Sequence, residues 1–191
     1  MKRRFDTSVR MVVVTLSVLF AFISCEYEDY VDVNYPKQTI YMPAALHGLY
    51  DISVQNDPVG VPTEGVMSRY SIDNESNQLN VHLGVYRSGI TSDGEFSVGI
   101  SLNTDTIAQM INLGSLVSTE VLPSDKVSMP SSVTVKNNSD ISTFDLSINL
   151  DFIKNNPDKQ YAIGVVISSS ERTVNPKFKT AIVFINTNSI K

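Results

Sequence analysis

Two pairs of acids are spaced for acid–base chemistry, Asp73 with Glu75 and Asp93 with Glu95, each pair two residues apart. On a β-strand this spacing places both carboxylates on one face, about 7 Å apart, and glycosidases use paired carboxylates. Both pairs fall in turn-forming stretches, where acids are common for conformational reasons. A small glycosidase is therefore the least favoured function.

Other reactive side chains are scarce. The two histidines, His47 and His82, have no second ligand at the spacing of a zinc site and are predicted to lie on the surface. The sequence has no G-x-S-x-G nucleophile motif, no Gly-rich phosphate loop and no calcium loop of the EF-hand type. We therefore expect no catalytic residue, no metal and no cofactor.

Aromatic side chains offer a second kind of chemistry, because amphipathic rings stack on the apolar faces of sugars. The sequence lacks Trp, so its eight tyrosines are the rings available for this role. Tyr86 is phased outward on a strongly alternating segment beside Arg87, and Tyr50 and Tyr70 are further candidates. These four residues are the candidate glycan contacts. The alternative is that outward tyrosines only pair across strands.

Thr106 is a candidate for modification. Asp105, Thr106 and Ile107 form an Asp-Thr-aliphatic triplet, which resembles the O-glycosylation motif of exported Bacteroidetes proteins. The alternative interpretation is a helix cap at Asp105, and the two roles are compatible.

The single cysteine, Cys25, lies at the end of a targeting sequence. Arg3, Arg4 and Arg10 precede an apolar run at residues 11–23, which is too short for a helix that spans a bilayer with about 20 residues. Residues 1–24 are therefore predicted to be a signal peptide. A cysteine at the cleavage point is typical of a bacterial lipoprotein, whose thiol is acylated; the alternative is an ordinary signal peptide.

An acidic stretch follows the cysteine. Glu26, Glu28 and Asp29 resemble the export signal that sends Bacteroidetes lipoproteins to the outer face of the outer membrane. Residues 25–38 show no strand or helix period and are predicted to be a flexible acidic tether. We therefore expect a cell-surface protein that is held in the outer membrane by acyl chains on Cys25.

Charge and cysteine content exclude several classes of protein. The net charge is -5, and removal of residues 1–24 would leave -8, which argues against nucleic acid as a partner. With Cys25 acylated, no thiol would remain for a disulfide or a cysteine-based metal site. Stability must then come from packing alone.

Strand patterns dominate the rest of the chain. Apolar residues alternate with polar ones at residues 79–85, 96–102 and 144–150, whereas residues 161–167 and 178–185 are apolar on both faces and predict inner strands. The first two alternations flank Asp93-Gly94, a favoured hairpin pair, so they predict an antiparallel hairpin.

One helix interrupts the strands. Ile107, Met110 and Ile111 share a helical face, Asp105 is the predicted N-cap and Gly114 the predicted stop. Such a helix is too short to be stable alone and is expected to pack across an open edge or end of the sheets. The chain is thus predicted to be all-β: an antiparallel two-sheet Ig-like sandwich over residues 39–191, with one short helix.

Six segments within residues 77–185 carry a resemblance to a known module. They are 85–89 with 94–98, the helix at 105–111, Leu122-Pro123-Ser124-Asp125, Met129-Pro130, and 144–150. Together they resemble the uncharacterised N-terminal β-sandwich domain of Bacteroidetes surface lipoproteins, which is often encoded beside glycan-import and glycosidase genes. In that family the domain commonly precedes a carbohydrate-binding or glycosidase module.

The resemblance implies a non-catalytic accessory of a polysaccharide-utilisation system that binds or presents glycan. Its expected partners are the outer membrane, polysaccharide and other surface lipoproteins. The alternative is a structural, adhesion or protein-interaction module, such as a pilus-like subunit, without affinity for sugar. A long unpaired edge strand or an exposed apolar groove would favour that alternative.

Overall fold

A computed structural model describes residues 37–53 and 68–190, which lie in a compact unit from Pro36 to Lys191. The strands in chain order are β1 (Ile40–Tyr41), β2 (Tyr50–Asp51), β3 (Tyr70–Asp73), β4 (Gln78–Arg87), β5 (Phe96–Asn103), β6 (Thr119–Val121), β7 (Val127–Ser128), β8 (Ser132–Val135), β9 (Ile141–Asn149), β10 (Gln160–Ser168) and β11 (Thr180–Asn186). The helices are α1 (Thr104–Asn112) and α2 (Leu150–Lys154), and single 3-10 turns lie at Pro43–His47, Ser124–Lys126 and Thr187–Ser189.

The strands form two sheets, which confirms the predicted all-β sandwich. The first sheet has the order β1-β4-β9-β7 with β3 also paired to β4, and the second has the order β2-β11-β10-β5-β8 with β6 also paired to β10. Most pairs are antiparallel, but the short strands β2 and β6 pair in parallel with β11 and β10.

The predicted hairpin between the first and second alternating segments, residues 79–85 and 96–102, is wrong. β4 lies in the first sheet, where it pairs with β9 from Gln78 to Tyr86, whereas β5 lies in the second sheet and pairs with β10 and β8. The connection at residues 88–95 crosses from one sheet to the other. Period-2 alternation shows which side chains point inward, but it does not identify the strand that supplies the hydrogen bonds.

The core lies between the two sheets and contains the inward side chains of the three predicted alternations and of residues 161–167. In β4 these are Leu79, Val81, Leu83 and Val85, none more than 4 % exposed. Tyr161, Ile163, Val165 and Ile167 of β10 face them from the second sheet and are equally buried. Both faces of β10 are largely buried, and β10 and β11 are confirmed as paired inner strands, since they pair with each other and each has a second neighbour.

Helix α1 packs on the outer face of the second sheet rather than across an edge or end. Its side chain Ile107 is fully buried against Leu116 and Ala162, and Met110 and Ile111 pack at the margin of this cluster. The helix therefore explains why β10 is apolar on both faces: one face meets the core and the other meets the helix.

The N-cap of α1 is Asn103, not the predicted Asp105. The Asn103 side-chain oxygen accepts a hydrogen bond from the Thr106 amide at 3.0 Å, and Asp105 lies in the first turn. At the other end Gly114 has φ +71° and its amide donates to the Ile111 carbonyl, as expected for a stop. Asn149 caps α2 in the same way, since its side chain accepts from the Phe152 amide at 2.8 Å.

Candidate functional site

Two tyrosines and an isoleucine form an exposed apolar patch on the outer face of the first sheet, which we call the ring platform. The register places Tyr86 of β4 opposite both Tyr41 of β1 and Ile141 of β9. The Tyr41 and Tyr86 ring centroids lie 5.9 Å apart, and Phe178 meets the other side of Tyr41 at 6.5 Å. Ile141 is 42 % exposed and both tyrosines are half-buried, so the patch is held in place yet open to solvent.

A series of polar side chains continues from the ring platform along β4 and β9, and we call it the polar ladder. His82 lies opposite Asp145, and Asn80 lies opposite Ser147. His82 Nδ1 is 2.7 Å from Asp145 Oδ1, and Ser147 Oγ donates to Asn80 Oδ1 at 2.7 Å. Gly84 lies between the polar ladder and the ring platform, so β4 has no side chain at that position.

The polar ladder ends in a surface depression of about 210 Å³. Its lining includes the last outward residues of β4 and β9, Gln78 and Asn149, together with Asp125, Lys126 and Ser128. Lys126 Nζ is 2.8 Å from Asp125 Oδ2, so these two charges are paired at the rim. The depression thus offers amides and hydroxyls with little net charge.

Arg87 is not a glycan contact, which corrects the prediction from sequence. It is only 2 % exposed, and its guanidinium lies over the Phe96 ring at 5.1 Å. Both terminal nitrogens donate to main-chain carbonyls: those of Asp93 (2.6 Å), Gly94 (3.0 Å), Lys136 (2.9 Å) and Ser139 (2.6 Å). The side chain therefore joins the loop at residues 88–95 to the β8–β9 turn, because a planar guanidinium can donate in several directions at once.

The other two candidate tyrosines do not join Tyr86. Tyr70 is 8 % exposed, lies opposite Val81 with its ring in the core, and has a phenol pKa raised by that burial. Tyr50 belongs to the second sheet, where Arg69 lies 4.9 Å from its ring centroid. Burial raises the Tyr50 pKa and the Arg69 charge partly offsets that rise. Tyr70 is therefore excluded as a contact, and Tyr50 lies apart from the ring platform.

The remaining sequence candidates divide into those inside and outside the described residues. Thr106 is half-buried in the first turn of α1, and its glycosylation stays a prediction. Cys25, Glu26, Glu28 and Asp29 lie outside the described residues, and so do the predicted signal peptide and most of the tether.

The two acid pairs considered for catalysis lie at a turn and in a loop. Asp73 accepts hydrogen bonds from the Ser76 hydroxyl and amide and from the Glu75 amide, and these bonds hold its pKa below the ordinary value. A general acid needs the opposite shift. Asp93 and Glu95 are exposed in the crossing loop. Within residues 37–53 and 68–190, no group of three His, Cys, Asp or Glu side chains could hold a metal ion.

Tyr41 is the residue of the ring platform that the sequence analysis did not single out. Its neighbours in the chain, Ile40 and Met42, are both fully buried. The residue between two inward neighbours must point outward, so the same alternation could have identified Tyr41. Its proximity to Tyr86 required the β1–β4 register, which the sequence does not supply.

A protein-family model described as an N-terminal domain matches residues 35–173. The chain belongs to this family. The match covers the first sheet in full and the second as far as β10, and therefore includes both the ring platform and the polar ladder. No curated protein matches this chain at a significant level.

Several solved structures are similar to this chain. A carbohydrate-binding role is ascribed to one, from Bacteroides ovatus ATCC 8483, which has a TM-score of 0.54 and 13 % identity over 78 % of this chain and 36 % of its own. An auxiliary nutrient binding protein from Bacteroides thetaiotaomicron VPI-5482 has a TM-score of 0.48 and 17 % identity over 74 % of this chain and 44 % of its own. EndoBT-3987 of the same species, crystallised with a Man5GlcNAc product, has a TM-score of 0.47 and 19 % identity over 58 % and 26 %.

At these identities the likeness to solved structures concerns the fold alone. This chain spans less than half the length of each of the three proteins. In the described part of the chain, neither helix is long and apolar enough to cross a membrane.

Proposed function

We propose that this chain is a non-catalytic, lipid-anchored cell-surface protein that binds or presents glycan for a polysaccharide-utilisation system. The observation that carries the proposal is the ring platform on the outer face of the first sheet. The role ascribed to the Bacteroides ovatus protein of similar fold agrees with it.

The ring platform has the chemistry that a sugar requires. The apolar face of a pyranose stacks on an aromatic ring, and the ring keeps a polar tip for the sugar's hydroxyls. Tyr41 and Tyr86 are fixed by strand pairing and by contact with each other, so little side-chain freedom is lost on binding. The half-buried amide of Asn80 and hydroxyl of Ser147 lie further along the same face, in the polar ladder.

The carboxylates support a non-catalytic role. Retaining and inverting glycosidases place two carboxyl groups across the scissile bond and raise the pKa of one of them. Asp73, the candidate with the most hydrogen bonds, has a lowered pKa instead. Asp145, on the polar ladder, is occupied by His82.

Edge strands bear on the adhesion alternative. In the described residues the strands at the sheet margins, β1, β2, β3, β6, β7 and β8, are two to four residues long. Because β7 pairs only with Ser147 and Ile148 of β9, the outer edge of residues 141–146 has no partner strand within the described residues. A partner strand could be added at such an edge, so this edge is the structural feature that favours the adhesion alternative.

Glycan binding is tested with the full-length protein in detergent, first on an array that includes mannan, xylan, β-glucan, galactan and mucin-type glycans. Calorimetry then compares the wild type with Tyr86→Ala, which should weaken binding by about tenfold or more because a stacking ring is lost. Tyr86→Phe keeps the ring and should retain most of the affinity, and Tyr50→Ala is the matched change on the other sheet. Failure of the wild type to bind any polysaccharide would sink the proposal.

The anchor is tested separately with Cys25→Ser. Loss of the acylated thiol should move the protein from the membrane to the soluble fraction, because two or three acyl chains give firm attachment at ~0.8 kcal/mol per buried methylene. Palmitate labelling reports the modification directly. A variant that loses the label yet stays in the membrane would refute lipid anchoring and leave glycan binding untouched.

A further inference from the structure

The outward side chains of β4 form a series along the length of this strand. From Tyr86 to Gln78 every second residue points outward, and eight steps of about 3.3–3.4 Å give a length of about 27 Å. The ring platform lies at one end of this series and the 210 Å³ depression at the other. The face is therefore several times longer than a single sugar unit.

Unused hydrogen-bonding groups lie along this length. Asn80 accepts from Ser147 through its oxygen, and within the described residues its NH2 group has no acceptor. The Gln78 amide and the hydroxyls of Ser71 and Thr143 likewise have no partner in the described part of the chain. All four belong to residues that are exposed or half-buried, so they can bond to a ligand in place of water.

The ionisable side chains on this face have partners within it. The His82 imidazole and the Asp145 carboxylate form a hydrogen bond, and Lys126 pairs with Asp125 at the far end. The ladder lacks the cluster of free cations that an anionic polysaccharide would need. The donors and acceptors that remain are amides and hydroxyls, which match the hydroxyls of an uncharged sugar.

We propose that the outer face of the first sheet binds an extended, uncharged oligosaccharide whose chain runs along β4. One sugar unit stacks on the ring platform, and units further along hydrogen-bond to Asn80 and Gln78 and reach the depression. This inference rests on the proposed glycan-binding function and specifies its ligand class: internal stretches of a neutral polysaccharide rather than single sugars or chain ends.

Length dependence is the measurable consequence. A disaccharide on the ring platform cannot reach Gln78, whereas a longer chain can. Once one sugar unit is bound at the platform, the contacts of the following units form within the same complex and add to the affinity. The affinity should therefore rise at least about tenfold between two and roughly six units, and then level off once the ladder is filled.

The test uses a size-fractionated hydrolysate, from two to about eight units, of the neutral polysaccharide that gives the strongest array signal. Calorimetry compares wild type with the double variant Gln78→Ala/Asn80→Ala. The control double variant, Gln109→Ala/Asn112→Ala, removes the same two side-chain types from α1 on the other sheet. Matching denaturation curves for all three proteins show that each is folded.

Three outcomes of this experiment are informative about binding along β4. The inference is supported if affinity grows with length and the β4 double variant loses about tenfold for long chains but nothing for the disaccharide. It is overturned, with glycan binding intact, if all lengths bind equally or if the two double variants behave alike. If the wild type binds no polysaccharide at all, the proposed function fails and this inference fails with it.

Discussion

The outer faces of the two sheets differ in their surroundings: the first is open to solvent, and the second is covered by helix α1. On the first sheet, the outward residues of β4 and β9 other than Gly84 and Ile141 are polar or aromatic, and this face is open to solvent, with the Asp145 side chain 50 % exposed. On the second sheet, Ala162 is fully buried and Ile182 and Phe184 pack beside it under helix α1. A covered face must be apolar, whereas an uncovered one is free to carry binding groups.

The difference shows where function and stability are located. Substitution on the second outer face disturbs helix packing, and substitution on the first disturbs only side chains in contact with water. Matched pairs of variants, one on each face, test this division. Urea denaturation measures the change in free energy of unfolding for each pair.

The largest contrast is expected for isoleucines. Ile107→Ala should cost about 3 kcal/mol, because it leaves a cavity between α1 and Ala162. Ile141→Ala on the ring platform should change stability by no more than about 0.5 kcal/mol, since Ile141 is 42 % exposed. Equal losses for the two variants would show that a part of the chain outside the described residues covers the first sheet.

Two glycines, Gly164 and Gly84, give the second contrast. A Cβ at Gly164 would lie 2.5 Å from the main-chain oxygen of Asn103, where β5 bends into α1. Gly164→Ala should therefore cost about 2 kcal/mol. At Gly84 the nearest atom to an added Cβ is the Ser142 carbonyl oxygen at 3.4 Å, so Gly84→Ala should stay within about 0.5 kcal/mol. The idea of a tight second sheet is wrong if Gly164→Ala is tolerated as well.

Asparagines give the smallest contrast. Asn103→Ala removes the cap of α1 and should cost about 1 kcal/mol. Asn80→Ala on the polar ladder removes one half-exposed hydrogen bond with Ser147 and should cost less than about 0.5 kcal/mol. Circular dichroism should show lost helical signal in the first variant alone. A larger cost for Asn80→Ala would mean that the ladder stabilises the fold rather than serving a ligand.

Much of the fold could be predicted from local pattern. The inward residues of β4, β5, β9 and β10, the helix with its Gly114 stop, and the two inner strands were all visible as periods in the sequence. Alternation and helical spacing succeed because burial of one face is decided residue by residue. The one-turn helix α2 was missed because its first residue, Leu150, still fits the apolar alternation of β9, although Asn149 already caps the helix.

The candidate site was predicted only in part. Tyr86 was identified correctly as an outward ring, but Arg87 and Tyr70 were misplaced: a guanidinium can be buried when main-chain carbonyls surround it, and Tyr70 faces the core across from Val81. Neither environment leaves a local trace, since the Arg87 partners lie up to 52 residues away in sequence.

The sequence by itself determined the set of inward side chains and the position of helix α1, because both depend on residue type and short-range spacing. Only the tertiary structure decided that β4 and β5 separate into different sheets, that α1 covers one outer face, and that Tyr41 meets Tyr86. Strand partners are chosen by long-range packing, and a period of two fits any partner equally well.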